Sequence, residues 1–98
     1  MRDLTEMNKL EEYLKAKNIR FDRADENGDP FDRHQIIVFD KDGNRLWDAI
    51  CNYGSYGCEN GLLEIMGDIV PPDHDDTVEG WLTANDVIKR IEWRQTVV

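Results

Sequence analysis

A chain of 98 residues is long enough for one hydrophobic core and too short for a deep cleft between two lobes, so a single domain over residues 1–98 is expected. Hydrophobic residues at 40% and charged residues at 34% exclude a disordered or fibrous chain, and no apolar run reaches the length of a membrane span. A net charge of −9 works against direct binding to nucleic acid.

The first residues, MRDLTEMNKLEEY, mix charge with apolar groups and lack the continuous hydrophobic segment of a signal peptide, which implies a cytoplasmic protein. Residues 4–17 place Leu4, Met7, Leu10 and Leu14 on one helical face. Asp3 and Glu6 have the spacing of a capping box, and Asn18 suits a left-handed stop. Ile19 to Arg23 alternates as a half-buried strand, and residues 25–32 are loop. Next comes the stretch expected at the centre of the sheet, RHQIIVFDKDGNRLWDAIC at 33–51, read as two strands and a tight turn. Asp40 and Gly43 favour a type I turn with a bulged glycine, which sets Ile37 opposite Trp47. The alternative, a two-residue turn at Asp42-Gly43, sets Val38 opposite Trp47 and His34 opposite Cys51. The D-K-D-G-N run opens like a calcium loop, but Arg45 stands where the loop needs Gly and Cys51 where it needs Glu.

Residues 52–67, NYGSYGCENGLLEIMG, read as a glycine-containing loop entering a short helix that ends at Gly67. They lack either glycine pattern of a phosphate-binding loop and carry no Lys or Arg. Asp68 to Val70 is a candidate short strand, Pro71 to Asp76 an exposed connection, and Thr77 to Leu82 another strand. Thr83 caps a last helix with Asp86 three residues on, and Ala84, Val87, Ile88 and Ile91 form its buried face. The expected fold is α+β: an antiparallel meander sheet of three to five strands, with two or three helices packed mainly on one face.

No residue pattern specifies a catalytic centre, a metal site or a cofactor. His34 and His74 are the only histidines, and neither has neighbours that assign it a role. Cys51 and Cys58 are not spaced as a redox or zinc motif and read as buried thiols. Asp48 interrupts an apolar strand and needs either water or a buried partner. Charge is the stronger signal. From Leu46 to Ile88 there are nine acids and no Lys or Arg, while the rest of the chain holds 12 acids and 12 bases. Such a region attracts a protein with a basic surface, with aromatic residues between the acids as apolar anchors. The candidate partner-binding residues are Tyr53, Tyr56, Glu59, Asp73, Asp75, Asp76, Glu79 and Trp81. The plainer alternative is that the acids only keep a small protein in solution.

Three segments, RHQIIVFDKDGNRLWDAI, GSYGCENGLLEIMGDIV and VEGWLTANDVIKRIE, resemble a family of small proteins encoded in phages, prophages and other mobile elements of gut Firmicutes. The resemblance brings no active-site residue. It implies a mobile-element protein, and by analogy of size, charge and setting a decoy that occupies the nucleic-acid-binding surface of a defence nuclease. Two other classes stay open. One is a small-molecule binder or minor enzyme using residues 52–61, with Asp48, Cys51 or Cys58 near its floor. The other is a self-associating subunit, such as a homodimer, joined at a sheet edge.

Overall fold

A computed structural model describes residues 2–74 and 76–96. In chain order it contains α1 (Thr5–Ala16), β1 (Phe21–Glu26), β2 (Arg33–Phe39), β3 (Arg45–Ile50), a short 3-10 turn (Cys58–Asn60), β4 (Leu63–Gly67), β5 (Val78–Leu82) and α2 (Ala84–Thr96). The five strands form one open antiparallel meander in sequence order, and both helices lie on the same side of it. The α+β expectation is met.

The core lies between that face and the helices. Met7, Leu10 and Leu14 of α1 and Ala84, Val87 and Ile91 of α2 close over Ile36, Val38, Trp47, Ala49, Leu63 and Ile65. Asn18 ends α1 in the left-handed conformation at φ 55°, and the Ile19 N–H donates to the Leu14 carbonyl at 3.0 Å. At the start of α1, Asp3 Oδ1 accepts from the Thr5 N–H at 2.9 Å. Glu6 does not complete the expected capping box. Its Oε1 accepts from the Ala84 N–H at 2.8 Å and so ties α1 to the first residue of α2. The box expected at α2 is formed: the Asp86 N–H donates to Thr83 Oγ1 at 3.2 Å, and the Thr83 N–H donates to Asp86 Oδ2 at 3.0 Å.

The hairpin contains two irregularities where one was expected. The Gly43 N–H donates to the Asp40 carbonyl at 3.1 Å with φ of 86° at Gly43, which is the bulged type I turn, and Phe39 accordingly pairs with Arg45. A second bulge follows. Leu46 is an extra residue, so Val38 and not Ile37 faces Trp47, and the Cys51 N–H donates to the His34 carbonyl at 3.0 Å. This extra residue explains an ion pair that a regular strand forbids. Residues three apart normally point to opposite faces, yet Arg45 Nη2 and Asp48 Oδ2 meet at 3.0 Å on the outer face. Asp48, only 6% exposed, also accepts from Gln35 Nε2 at 2.8 Å, so the buried carboxylate has its partners.

Residues 62–66 are not helical. Leu63 and Ile65 alternate into the core while Met66 stays exposed, so a period of two prevails in a run too short to carry a helical one. Asp68 to Val70 is a turn and not a strand; the Val70 N–H donates to the Gly67 carbonyl at 3.1 Å, and Ile69 is buried.

Candidate interaction surface

The loop between β3 and β4 is fastened to the end of β5. The Tyr56 N–H donates to Glu64 Oε1 at 3.0 Å, and the Trp81 N–H donates to the Tyr56 carbonyl at 3.2 Å. This brings Tyr56 and Trp81 next to each other, at 53% and 57% exposure. The β4–β5 pairing is irregular here: Ile65 faces Glu79 while Leu63 faces Leu82. Trp81 takes up the irregularity at φ 61°, a conformation that costs a bulky residue on the order of 1–2 kcal/mol.

Those residues expected at a partner surface that the structure describes do not form one patch. Glu59 is exposed in the 3-10 turn shortly after Tyr56. Tyr53 turns elsewhere: its N–H donates to the Asp32 carbonyl at 3.3 Å, and its ring meets that of Phe31 edge-on at 4.9 Å. Asp73 and Asp76 are exposed in the connection that leads into β5 at its Val78 end, whereas Trp81 stands near the other end of that strand. Asp75 lies outside the described residues. Glu79 is committed to Arg90, which donates from Nε at 2.8 Å and from Nη2 at 2.6 Å and holds the carboxyl below the usual range.

Other acids of the 46–88 stretch are offset in the same way. Asp48 has Arg45 at 3.0 Å and Asp68 has Arg94 at 3.7 Å. Glu64 and Asp86 accept backbone N–H groups. Among the described residues, Glu59, Asp73 and Asp76 remain as exposed acids of this stretch outside any ion pair. The acidic surface is therefore narrower than the composition suggests.

A second polar feature has no local motif in the sequence. His34, 1% exposed, sits between two carboxylates, with Nδ1 2.7 Å from Asp25 Oδ1 and Nε2 3.2 Å from Asp32 Oδ2. Arg2 grips both Asp32 oxygens at 2.8 and 2.7 Å and donates to the Cys58 carbonyl at 3.1 Å. Arg23 bonds Asp25 at 3.0 Å and reaches Glu11 at 3.2 Å. The available signal was alternation, since His34 shares the inward parity of Ile36 and Val38. Among the described residues no buried side-chain polar atom is left without a partner, so this chain of charges is closed and fastens the N-terminal segment to the sheet. Burial pushes Asp25 up, but hydrogen bonds from His34 and Arg23 outweigh it and hold the carboxyl below its ordinary value.

The Arg2 hydrogen bonds bring Asp32 down from 3.8 to about 2. A carboxyl lowered on folding contributes stability that is complete above its unfolded value and is lost as pH falls through its folded value. Urea unfolding between about pH 4 and pH 2 should therefore show a steeper loss for the native protein than for Asp32→Asn. Equal slopes would mean that the Arg2 clamp adds nothing to stability.

The residues offered as a catalytic floor do not meet. Asp48 faces the outer side of the sheet, whereas Cys51 and Cys58 are buried in the core. Burial pushes the Cys51 thiol up to about 11, away from thiolate chemistry. Among the described residues no group of three or more His, Cys, Asp or Glu could hold a metal ion, and no helix is long and apolar enough to cross a membrane. No family model, curated protein or solved structure matches the chain.

Proposed function

We propose that the protein is a non-enzymatic interaction protein that docks on a basic surface of a partner protein, with Tyr56 and Trp81 as anchors and Glu59, Asp73 and Asp76 steering the encounter. Trp81 carries this reading. A large aromatic held in a left-handed conformation and left more than half exposed gains little for the fold from its ring, and backbone strain of this kind collects at sites that serve binding. Together with the family resemblance, this favours a cytoplasmic mobile-element protein acting on a nucleic-acid-binding surface of a bacterial host enzyme, with a defence nuclease as the partner class.

Association of two copies through a sheet edge has less in its favour. β1 presents Asp22, Arg23, Asp25 and Glu26 along one edge strand, and β5 at the other is short and bulged, both features that discourage strand addition.

The test starts from capture in bacterial lysate, followed by affinity measurement on the purified partner at low and high salt. Expected is a basic protein whose Kd rises with salt and rises again for the combined variant Glu59→Lys, Asp73→Lys and Asp76→Lys, while Glu79→Lys is left out because it breaks the Arg90 pair. A partner held equally by the native and charge-reversed proteins would remove the electrostatic part of the proposal.

A further inference from the structure

A cavity of about 350 Å³, lined by residues from both helix ends and from the β2–β3 turn, lies apart from the Tyr56–Trp81 pair. Its floor is apolar: Val38, Leu46, Trp47, Ile69 and Ile91. The bulge at Leu46 builds it, because two successive residues, Leu46 and Trp47, line the same cavity where a regular strand would send them to opposite faces. The volume falls at the lower end of the range of about 300–1,000 Å³ that small-molecule sites occupy.

The rim carries Arg20, Lys41 and Arg94. Arg20 is held in place with its guanidinium 5.7 Å from the centre of the Phe39 ring. Two acids also stand there, and both are engaged. Asp40 accepts from the Asp42 and Asn44 N–H groups at 2.9 and 2.8 Å and from Asn44 Nδ2 at 3.1 Å. Asp68 has Arg94 at 3.7 Å. Near the end of α1 the Leu14 and Lys15 carbonyls accept from the Ile19 and Asn18 N–H groups at 3.0 and 3.1 Å. Among the described residues, Arg20 and Lys41 have no carboxylate within ion-pair distance, in a chain whose net charge is −9.

We infer that this cavity binds a small apolar carboxylate, its hydrocarbon part on Trp47, Ile69 and Ile91 and its carboxylate at Arg20 and Lys41. A cationic ligand would find both rim acids engaged. A neutral one would leave the charge-assisted hydrogen bonds of the two cations unused.

The probes are octanoate and 1-octanol, titrated into the full chain and followed by two-dimensional NMR. Octanoate should shift the Trp47 indole and the Ile69 and Ile91 amides saturably. Octanol should bind about tenfold more weakly, as loss of one hydrogen bond to a charged group implies, and Arg20→Glu with Lys41→Glu should weaken octanoate by about tenfold or more. Both substituted residues are exposed, so the variant should keep the native spectrum elsewhere. Equal affinity for octanol and octanoate, shifts centred on other residues, or no saturation at millimolar octanoate would each overturn the assignment.

Discussion

Gly67→Ala should lower stability by about 3 kcal/mol or more. Gly67 ends β4 opposite Trp47 at φ 123°, where a side chain is strained. An added Cβ would also stand 2.5 Å from the Leu46 carbonyl oxygen and 2.6 Å from Trp47 Cα. Both are backbone atoms of the β3 bulge, and the Leu46 carbonyl already accepts from the Asp68 N–H at 3.1 Å. The contact cannot be relieved by a rotamer change. Relief needs the bulge itself to move, and with it the cavity and the Arg45–Asp48 pair. Against a total of about 5–15 kcal/mol for a domain, such a loss should lower the melting temperature by about 12 °C or more. Gly54→Ala is the matched control: φ there is also positive, at 85°, but an added Cβ meets nothing within 4 Å. It should cost about 1 kcal/mol. Urea unfolding of the two variants side by side separates conformational strain from collision, and similar losses in both would mean that the bulge gives way easily.

The same bulge shows where the fold was legible from the residues and where it was not. Both long helices, the two strands of the central hairpin and the Thr83–Asp86 cap follow from periodicity and local chemistry, because each depends on residues within a few positions of one another, whereas β1 at Phe21–Glu26 runs past the alternation at Ile19 to Arg23 into residues expected to be loop. The turn at Asp40–Gly43 was legible for the same reason. The register beyond it was not, since the second bulge is seated against Gly67, more than twenty positions downstream. Leu62 to Met66 is a five-residue run, apolar but for Glu64, that fits a strand or a helical turn, and pairing with β3 and β5 decides it. The acidic surface is narrower than the composition implies for a physical reason. The stretch from Leu46 to Ile88 is bounded by the bases that neutralise it in space, with Arg45 just before it and Arg90 and Arg94 just after. Tyr53 and Tyr56 are three positions apart, yet the chain turns between them, so only Tyr56 joins Trp81. The left-handed backbone at Trp81 has no local signature at all.

Trp81→Gly should leave the fold intact, or stabilise it by up to about 1 kcal/mol, while weakening partner binding by about 30-fold or more. Glycine adopts the φ of 61° without the cost borne by tryptophan, though its greater freedom in the unfolded chain returns part of that gain. Little burial is lost, because the side chain is already largely exposed. An exposed anchor gains its energy only when a partner desolvates it, and truncation of such a residue commonly costs about 2 kcal/mol or more of binding. Trp81→Ala separates the two effects, since it removes the ring and keeps the strained backbone. It should match the glycine variant in binding and fall below it in stability by about 1 kcal/mol. Stability is read from urea unfolding and binding from the purified partner. If Trp81→Gly binds as the native protein does, the aromatic anchor is wrong and the exposed ring serves something else. If it unfolds at much lower urea, the ring is packing the loop against β5, and the strain is kept for the fold and not for a partner.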